Sequence, residues 1–127
     1  MDVFVFGSTH VPGDDFAIQI AKDIEKEFEH NKQYNFIYCT EPMTLLNHDE
    51  IVIMDVIKGI SKVRLINDIS ILKERKISTL HDFDLGYFLK IAKNVEMIKD
   101  VKIIGIPTCG DIKEIKEDVK NAIASLS

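Results

Sequence analysis

The chain has 127 residues, 46% hydrophobic and 29% charged, with a formal net charge of −5. That length suits one domain, residues 1–127, with a sizeable core. The acidic balance, with no basic stripe, excludes a general nucleic-acid binder, and no apolar run is long enough to span a bilayer.

Residues 3–6 open as a short apolar strand and run into GSTHVPG at 7–13, a loop rich in turn formers. Asp14 and Asp15 follow, and a helix is expected to begin with them. Ala17, Ile20, Ala21, Ile24 and Phe28 recur at helical spacing and make one apolar stripe. Two acids in a first turn suit the positive end of the helix dipole, which by itself accounts for them. Residues 34–39 (YNFIYC) read as a second strand. Glu41 and Pro42 then start a short helical or irregular stretch through Leu46.

Residues 51–57 (IVIMDVI) form an apolar run broken by one carboxylate, Asp55. Apolar residues on both parities predict a strand buried on both faces. Lys58 and Gly59 signal a turn, so Asp55 falls at or near the strand's carboxyl end. Residues 63–66 read as a shorter strand, antiparallel and at an edge, while 68–77 fit strand or short helix equally. Residues 78–82 (STLHD) are a polar break with helix-start chemistry. Leu85, Phe88, Leu89, Ala92 and Val95 then recur at helical spacing, which places His81 at or just before a helix start. Residues 101–106 (VKIIGI) are the last strand, ended by Pro107. Residues 108–111 connect and cap a final helix with Ile112, Ile115, Val119, Ala122, Ile123 and Leu126 on one face. This alternation predicts an α/β fold: a three-layer α/β/α sandwich of phosphorylase/hydrolase-like type, with a mostly parallel sheet of about five strands.

In open α/β sheets ligands bind beyond the carboxyl ends of the strands. Asp14 and Asp15 after the first strand, Asp55 ending the central one and His81 opening a later helix belong to that rim. Two carboxylates and an imidazole meeting there suit a divalent transition ion such as nickel or zinc. A helix start favours the neutral imidazole a metal needs, though its dipole opposes the cation. The plainer uses remain open: Asp55 as a turn cap or lysine partner, His81 as a surface or capping residue.

Three motifs in order carry a resemblance. They are Gly7-Ser8 leading to Gly13-Asp14-Asp15, the IVIMD strand with Gly59 behind it, and Ser78-Thr79-Leu80-His81-Asp82. With the strand at 103–107, they resemble the hydrogenase maturation endopeptidases over nearly the whole chain. The resemblance implies that Asp15, Asp55 and His81 engage a nickel ion and act as both metal-binding and catalytic residues. It implies removal of a carboxyl-terminal extension from the large-subunit precursor of a nickel–iron hydrogenase after nickel insertion. The nickel then arrives with the substrate and serves as the recognition signal. A non-catalytic nickel- or precursor-binding assembly factor of the same fold is the alternative.

Departures from the family pattern are visible. Ser8 stands where an Asn is usual, and the loop to Asp14 is one residue longer. Phe16 follows the acids where glycines are common, and Leu80 separates Thr79 from His81. His10 in the altered loop is a possible additional ligand, or simply a solvated loop residue. Asp14 is a general-base candidate by proximity, with helix capping as its other use.

A receiver-type signalling module fits less well. The acid pair follows the first strand by about eight residues, and Pro107 is preceded by Ile106 rather than Lys. Phosphate-loop signatures are absent. Cys39 and Cys109 have no CxxC spacing, so neither a zinc site nor a disulfide framework is expected. Cys109 is read as a small core residue rather than a nucleophile. The start MDVFVFGS lacks the features of a secretory signal. A cytoplasmic monomer is expected, with the hydrogenase precursor as partner and neither membrane nor nucleic acid.

Overall fold

The structure is a computed structural model that describes residues 2–7, 16–27, 35–39, 45, 48, 50–67, 78–79 and 85–126. Its elements in chain order are β1 (Asp2–Phe6), α1 (Phe16–Glu27), β2 (Asn35–Cys39), β3 (Glu50–Lys58), β4 (Arg64–Ile66), β5 (Ser78–Thr79), α2 (Leu85–Asn94), β6 (Asp100–Ile106) and α3 (Ile112–Leu126).

The main sheet has the order β2-β1-β3-β6-β4. The first four strands are mutually parallel, and β4 closes the edge antiparallel to β6. The mostly parallel five-strand α/β sheet expected from the alternation is present, including its short antiparallel edge strand. β5 lies off this path and pairs antiparallel with the far end of β3.

The strand period of two sorts β3 between two cores. Ile51, Ile53 and Ile57 pack with Phe4, Phe6, Leu89 and Ala92 on the face covered by α2. Met54 and Val56 pack with Ala17, Ile20, Ile24, Val119 and Ile123 on the face covered by α1 and α3. One helical layer on each face of the sheet makes the three-layer sandwich. Surface pairs add cross-links: Glu27 at the end of α1 bonds Lys116 at 2.7 Å and also Lys120, both on α3. Tyr38 on β2 donates its hydroxyl to Glu25 Oε1 at 2.8 Å. Burial first, and then that bond, pushes its phenol up.

Several sequence expectations are corrected. Helix α1 is described from Phe16; Asp14 and Asp15, with which it was expected to begin, lie outside the described residues. Val95, expected on the apolar stripe of α2, is 58% exposed, because the helix ends at Asn94. A Schellman turn ends it: Met97 N–H donates to Ala92 O at 2.9 Å and Glu96 N–H to Lys93 O at 3.1 Å. Glu96 takes the left-handed conformation, φ 61°, that this turn demands. Ile112, expected on the buried face of α3, is 51% exposed in its first turn. The cap expected before α3 is present, as Asp111 Oδ1 accepts the N–H groups of Lys113 at 2.9 Å and Glu114 at 3.5 Å.

Candidate active site

Asp55 is the fully buried charged residue among those described, at 0% exposure. Its side chain shares the parity of Ile53 and Ile57 and so belongs to the face under α2. Register explains its setting. β1 pairs with β3 through Val5 and Met54 and no further. β6 continues through Asp55↔Gly105 and Val56↔Ile106. Asp55 is therefore the first residue of β3 past the end of its ladder with β1.

That place is the switch point of the sheet. From β1 the chain crosses to β2 on one side, whereas β3 and the strands after it lie on the other. Connections leaving neighbouring carboxyl ends in opposite directions open a crevice, the usual ligand site of such sheets. A carboxylate here carries a cost, because burying an ion sacrifices several kcal/mol of hydration (order of magnitude) unless it is bonded or paired. Part is offset by Val56 N–H, which donates to Asp55 Oδ1 at 2.8 Å. An apolar side chain between Ile53 and Ile57 would fill the position without that cost, so the acid marks a functional candidate.

Opposite Asp55, Gly105 makes room. A Cβ there would lie 3.0 Å from Ile57 Cγ1, 3.2 Å from Ile60 Cδ1 and 3.4 Å from the Arg64 carbonyl oxygen. Its missing side chain lets Ile57 and Ile60 close over β6 beside the acid. This role was not read from the sequence. Its signal was a lone glycine inside an otherwise apolar strand, which marks close approach.

The other proposed ligands, Asp15 and His81, lie outside the described residues, as do Asp14, Ser8 and His10. Their described neighbours do carry information. Phe16, directly after Asp15, is half-buried and packs against the core under α1 and α3. Ser78 and Thr79, just before Leu80 and His81, are not the plain polar break expected. They form β5, paired Ile57↔Thr79 and Lys58↔Ser78 against the end of β3. Among the described residues no group of three His, Cys, Asp or Glu side chains is placed to hold a metal ion.

Cys109 is a correction: it is exposed rather than a core residue. It follows Pro107 in the β6–α3 connection and lines a small cavity of about 110 Å³ with Lys62 and Asp111. A larger cavity of about 420 Å³ is lined by Phe4, His48, Glu50, Asp100 and Lys102, among others. These residues belong to the amino-terminal ends of the strands, the rim opposite Asp55. Volume and chemistry therefore point to different rims, and the buried acid at the switch point outweighs the larger hollow. Among the described residues no helix is long and apolar enough to cross a membrane.

The fold defines the class first: an α/β/α sandwich with a switch-point acid. The sequence matches no protein-family model and no curated protein. Solved structures do match. An endopeptidase from Escherichia coli aligns with a TM-score of 0.65 at 14% identity, covering 99% of this chain and 92% of its own. A hydrogenase 3 maturation protease aligns with a TM-score of 0.61 at 20% identity, over 95% and 87% of the two chains. A hydrogenase 2 maturation peptidase from a Thaumarchaeota archaeon gives 0.57 at 18%, over 99% and 97%. At these identities the likeness establishes a shared fold. It is the fold that the ordered motifs of the sequence implied.

Proposed function

We propose that the protein is a processing endopeptidase that trims the carboxyl-terminal extension of a nickel–iron hydrogenase large-subunit precursor once nickel has been inserted. The observation that carries the reading is Asp55, a buried carboxylate in the switch-point crevice of a fold shared with hydrogenase maturation proteases. Chain connectivity supports the other two residues. β1 and β2 are parallel, so the helix between them starts beside the carboxyl end of β1. Asp15 is bonded to its first described residue, Phe16, one Cα step of about 3.8 Å away. α2 likewise precedes β6, which is parallel to β3. This topology supports reading Asp15 and His81 together with Asp55.

In this reading Asp15, Asp55 and His81 supply two oxygen donors and one nitrogen to nickel carried in by the precursor. Such a set suits that ion and leaves positions for the precursor's own groups. Nickel held there would supply Lewis acidity, the chemistry that polarises a scissile carbonyl or activates a water. The chain's own part is to hold the donors still. Val56 N–H fixes one oxygen of Asp55, and the isoleucines beside it keep bulk water from the carboxylate. Preference for the loaded precursor is then a difference of affinities, made by donors that the empty precursor leaves unused.

The test is to incubate candidate precursors, with and without nickel, and to weigh the products. Trimming of the loaded precursor alone is expected, and its loss in Asp15→Ala, Asp55→Ala and His81→Ala. Full activity in all three variants rejects the assignment. Stable capture of the precursor with no cleavage over long incubation replaces it with the non-catalytic assembly factor, a role to which the bulky Phe16 at the helix start is suited.

A further inference from the structure

We propose that Ile60 is a specificity-determining residue of the site: it forms an aliphatic wall beside Asp55 and selects, by size, an apolar precursor side chain next to the cleaved bond. The inference rests on the reading above. The facing of β3 and β6 places this wall. Their paired residues share faces, Ile53↔Ile103 in one core and Met54↔Ile104 in the other. By the strand period of two, Asp55 and its partner Gly105 both face the core under α2. Neighbouring strands run about 4.8 Å apart, so the absent side chain of Gly105 leaves a notch one strand spacing from the acid. Two isoleucines fill that notch. Ile57 Cγ1 lies 3.0 Å and Ile60 Cδ1 3.2 Å from the position a Cβ would take.

The two differ in what they can touch. Ile57 is 0% exposed and belongs to the core. Ile60 is only partly buried: one side packs against that core and the rest reaches solvent. It returns over β6 by way of Gly59, whose φ of 92° suits glycine and strains other residues. A precursor segment that brings its metal to Asp55 therefore meets Ile60 on the β6 side. One Cα step is about 3.8 Å, so a residue flanking the cleaved bond spans the distance from acid to wall. Ile60 carries no polar atom in its side chain, and a polar group pressed against it would give up water for nothing. The wall thus suits an apolar side chain. It also limits size, because the tip of Ile60 is already lodged in the notch and cannot retreat without overpacking. One methylene more or less in such a contact changes discrimination by about 10–200-fold.

The test uses the full chain and nickel-loaded precursors carrying Ala, Val, Leu or Phe at either residue flanking the cleaved bond, with kcat and KM measured for each. At one of the two positions Val should be preferred to Phe by at least about tenfold in kcat/KM. Ile60→Ala should raise Phe relative to Val by at least about tenfold, and Ile60→Val should move it the same way by about threefold. The change should appear in KM with kcat nearly constant, because the contact is made equally in ground and transition states. A change by one common factor for all four side chains makes Ile60 merely structural and overturns the proposal, as does a wild-type chain indifferent to the side chain at both positions. Fluorescence anisotropy of the same labelled precursors, read as fold-changes in Kd, repeats the comparison without chemistry. Side-chain-dependent shifts in Kd with no cutting retire the protease reading and leave the wall standing. Cutting with a uniform response retires the wall alone.

Discussion

Asp55→Asn is the sharpest perturbation, because it separates a carboxylate kept for function from one kept for structure. The substitution conserves shape and leaves an amide oxygen to accept the Val56 N–H, now 2.8 Å from Oδ1. That bond loses its ionic character, a cost of about 1 kcal/mol. Against it stands the relief of burying an ion at 0% exposure, the several kcal/mol (order of magnitude) of lost hydration less what the groups around Asp55 return. The expected net is a stabilisation of about 1–3 kcal/mol. For a domain of this size each kcal/mol raises Tm by roughly 3–5 °C, so a rise of about 3–10 °C should be seen in a thermal melt. A matching shift of the urea midpoint at constant m would confirm that stability itself has changed. In the same variant, trimming of a nickel-loaded precursor should fall by at least about a hundredfold, since a neutral amide is a far poorer metal donor. A variant that loses about 2 kcal/mol of stability and still trims would refute the reasoning, because Asp55 would then be a structural acid whose charge the fold needs.

Other outcomes follow from single contacts. Gly105→Ala places a Cβ 3.0 Å from Ile57 Cγ1 and 3.4 Å from a backbone oxygen, and should cost about 1–3 kcal/mol in urea unfolding; Ile57→Ala in the same chain should recover part of it if that contact is the cause. Asp111→Ala removes the acceptor for Lys113 and Glu114 N–H and should cost about 1 kcal/mol. Glu96→Gly relieves a side chain held at φ 61° and should stabilise by about 0.5–1 kcal/mol, read as a higher urea midpoint. Glu27 is held down to about 2, from an ordinary 4.5, by hydrogen bonds from Lys116 and then Lys120. A carboxyl lowered on folding contributes stability above pH 4.5 and loses it as pH falls toward 2. Glu27→Gln should therefore flatten the acid limb of the stability–pH curve between those values, an effect that added salt diminishes because the pair is solvent-exposed.

Much of this was legible in the sequence because it depends on period and composition alone. The run at 51–57 is apolar on both parities, and only a strand covered on both faces buries such a run. Its one acid was therefore conspicuous before any coordinates. What was misread depends on partners. Ser78 and Thr79 carry the composition of a helix start, yet they form a strand because the end of β3 protrudes beyond its neighbours and offers a free edge. No local signal announces that edge. The stripe of α2 was extended to Val95 because its stop signal is unusual: the left-handed position is filled by Glu96, not by glycine or asparagine. Cys109 was assigned to the core from the habits of free cysteines, although its neighbours Pro107 and Gly110 marked an exposed connection.

The same distinction separates the two halves of the candidate site. The position of Asp55 is set by the register of β3 between β1 and β6, ladders of hydrogen bonds that apolar burial on both faces holds in place. A one-residue slip would exchange Ile53, Asp55 and Ile57 with Met54 and Val56 between faces, which the two cores forbid. Asp15 and His81 lie outside the described residues, in the stretches before α1 and after β5. On the proposed reading, in which the metal comes and goes with the substrate, an acid as rigidly held as Asp55 is what would fix where the ion sits.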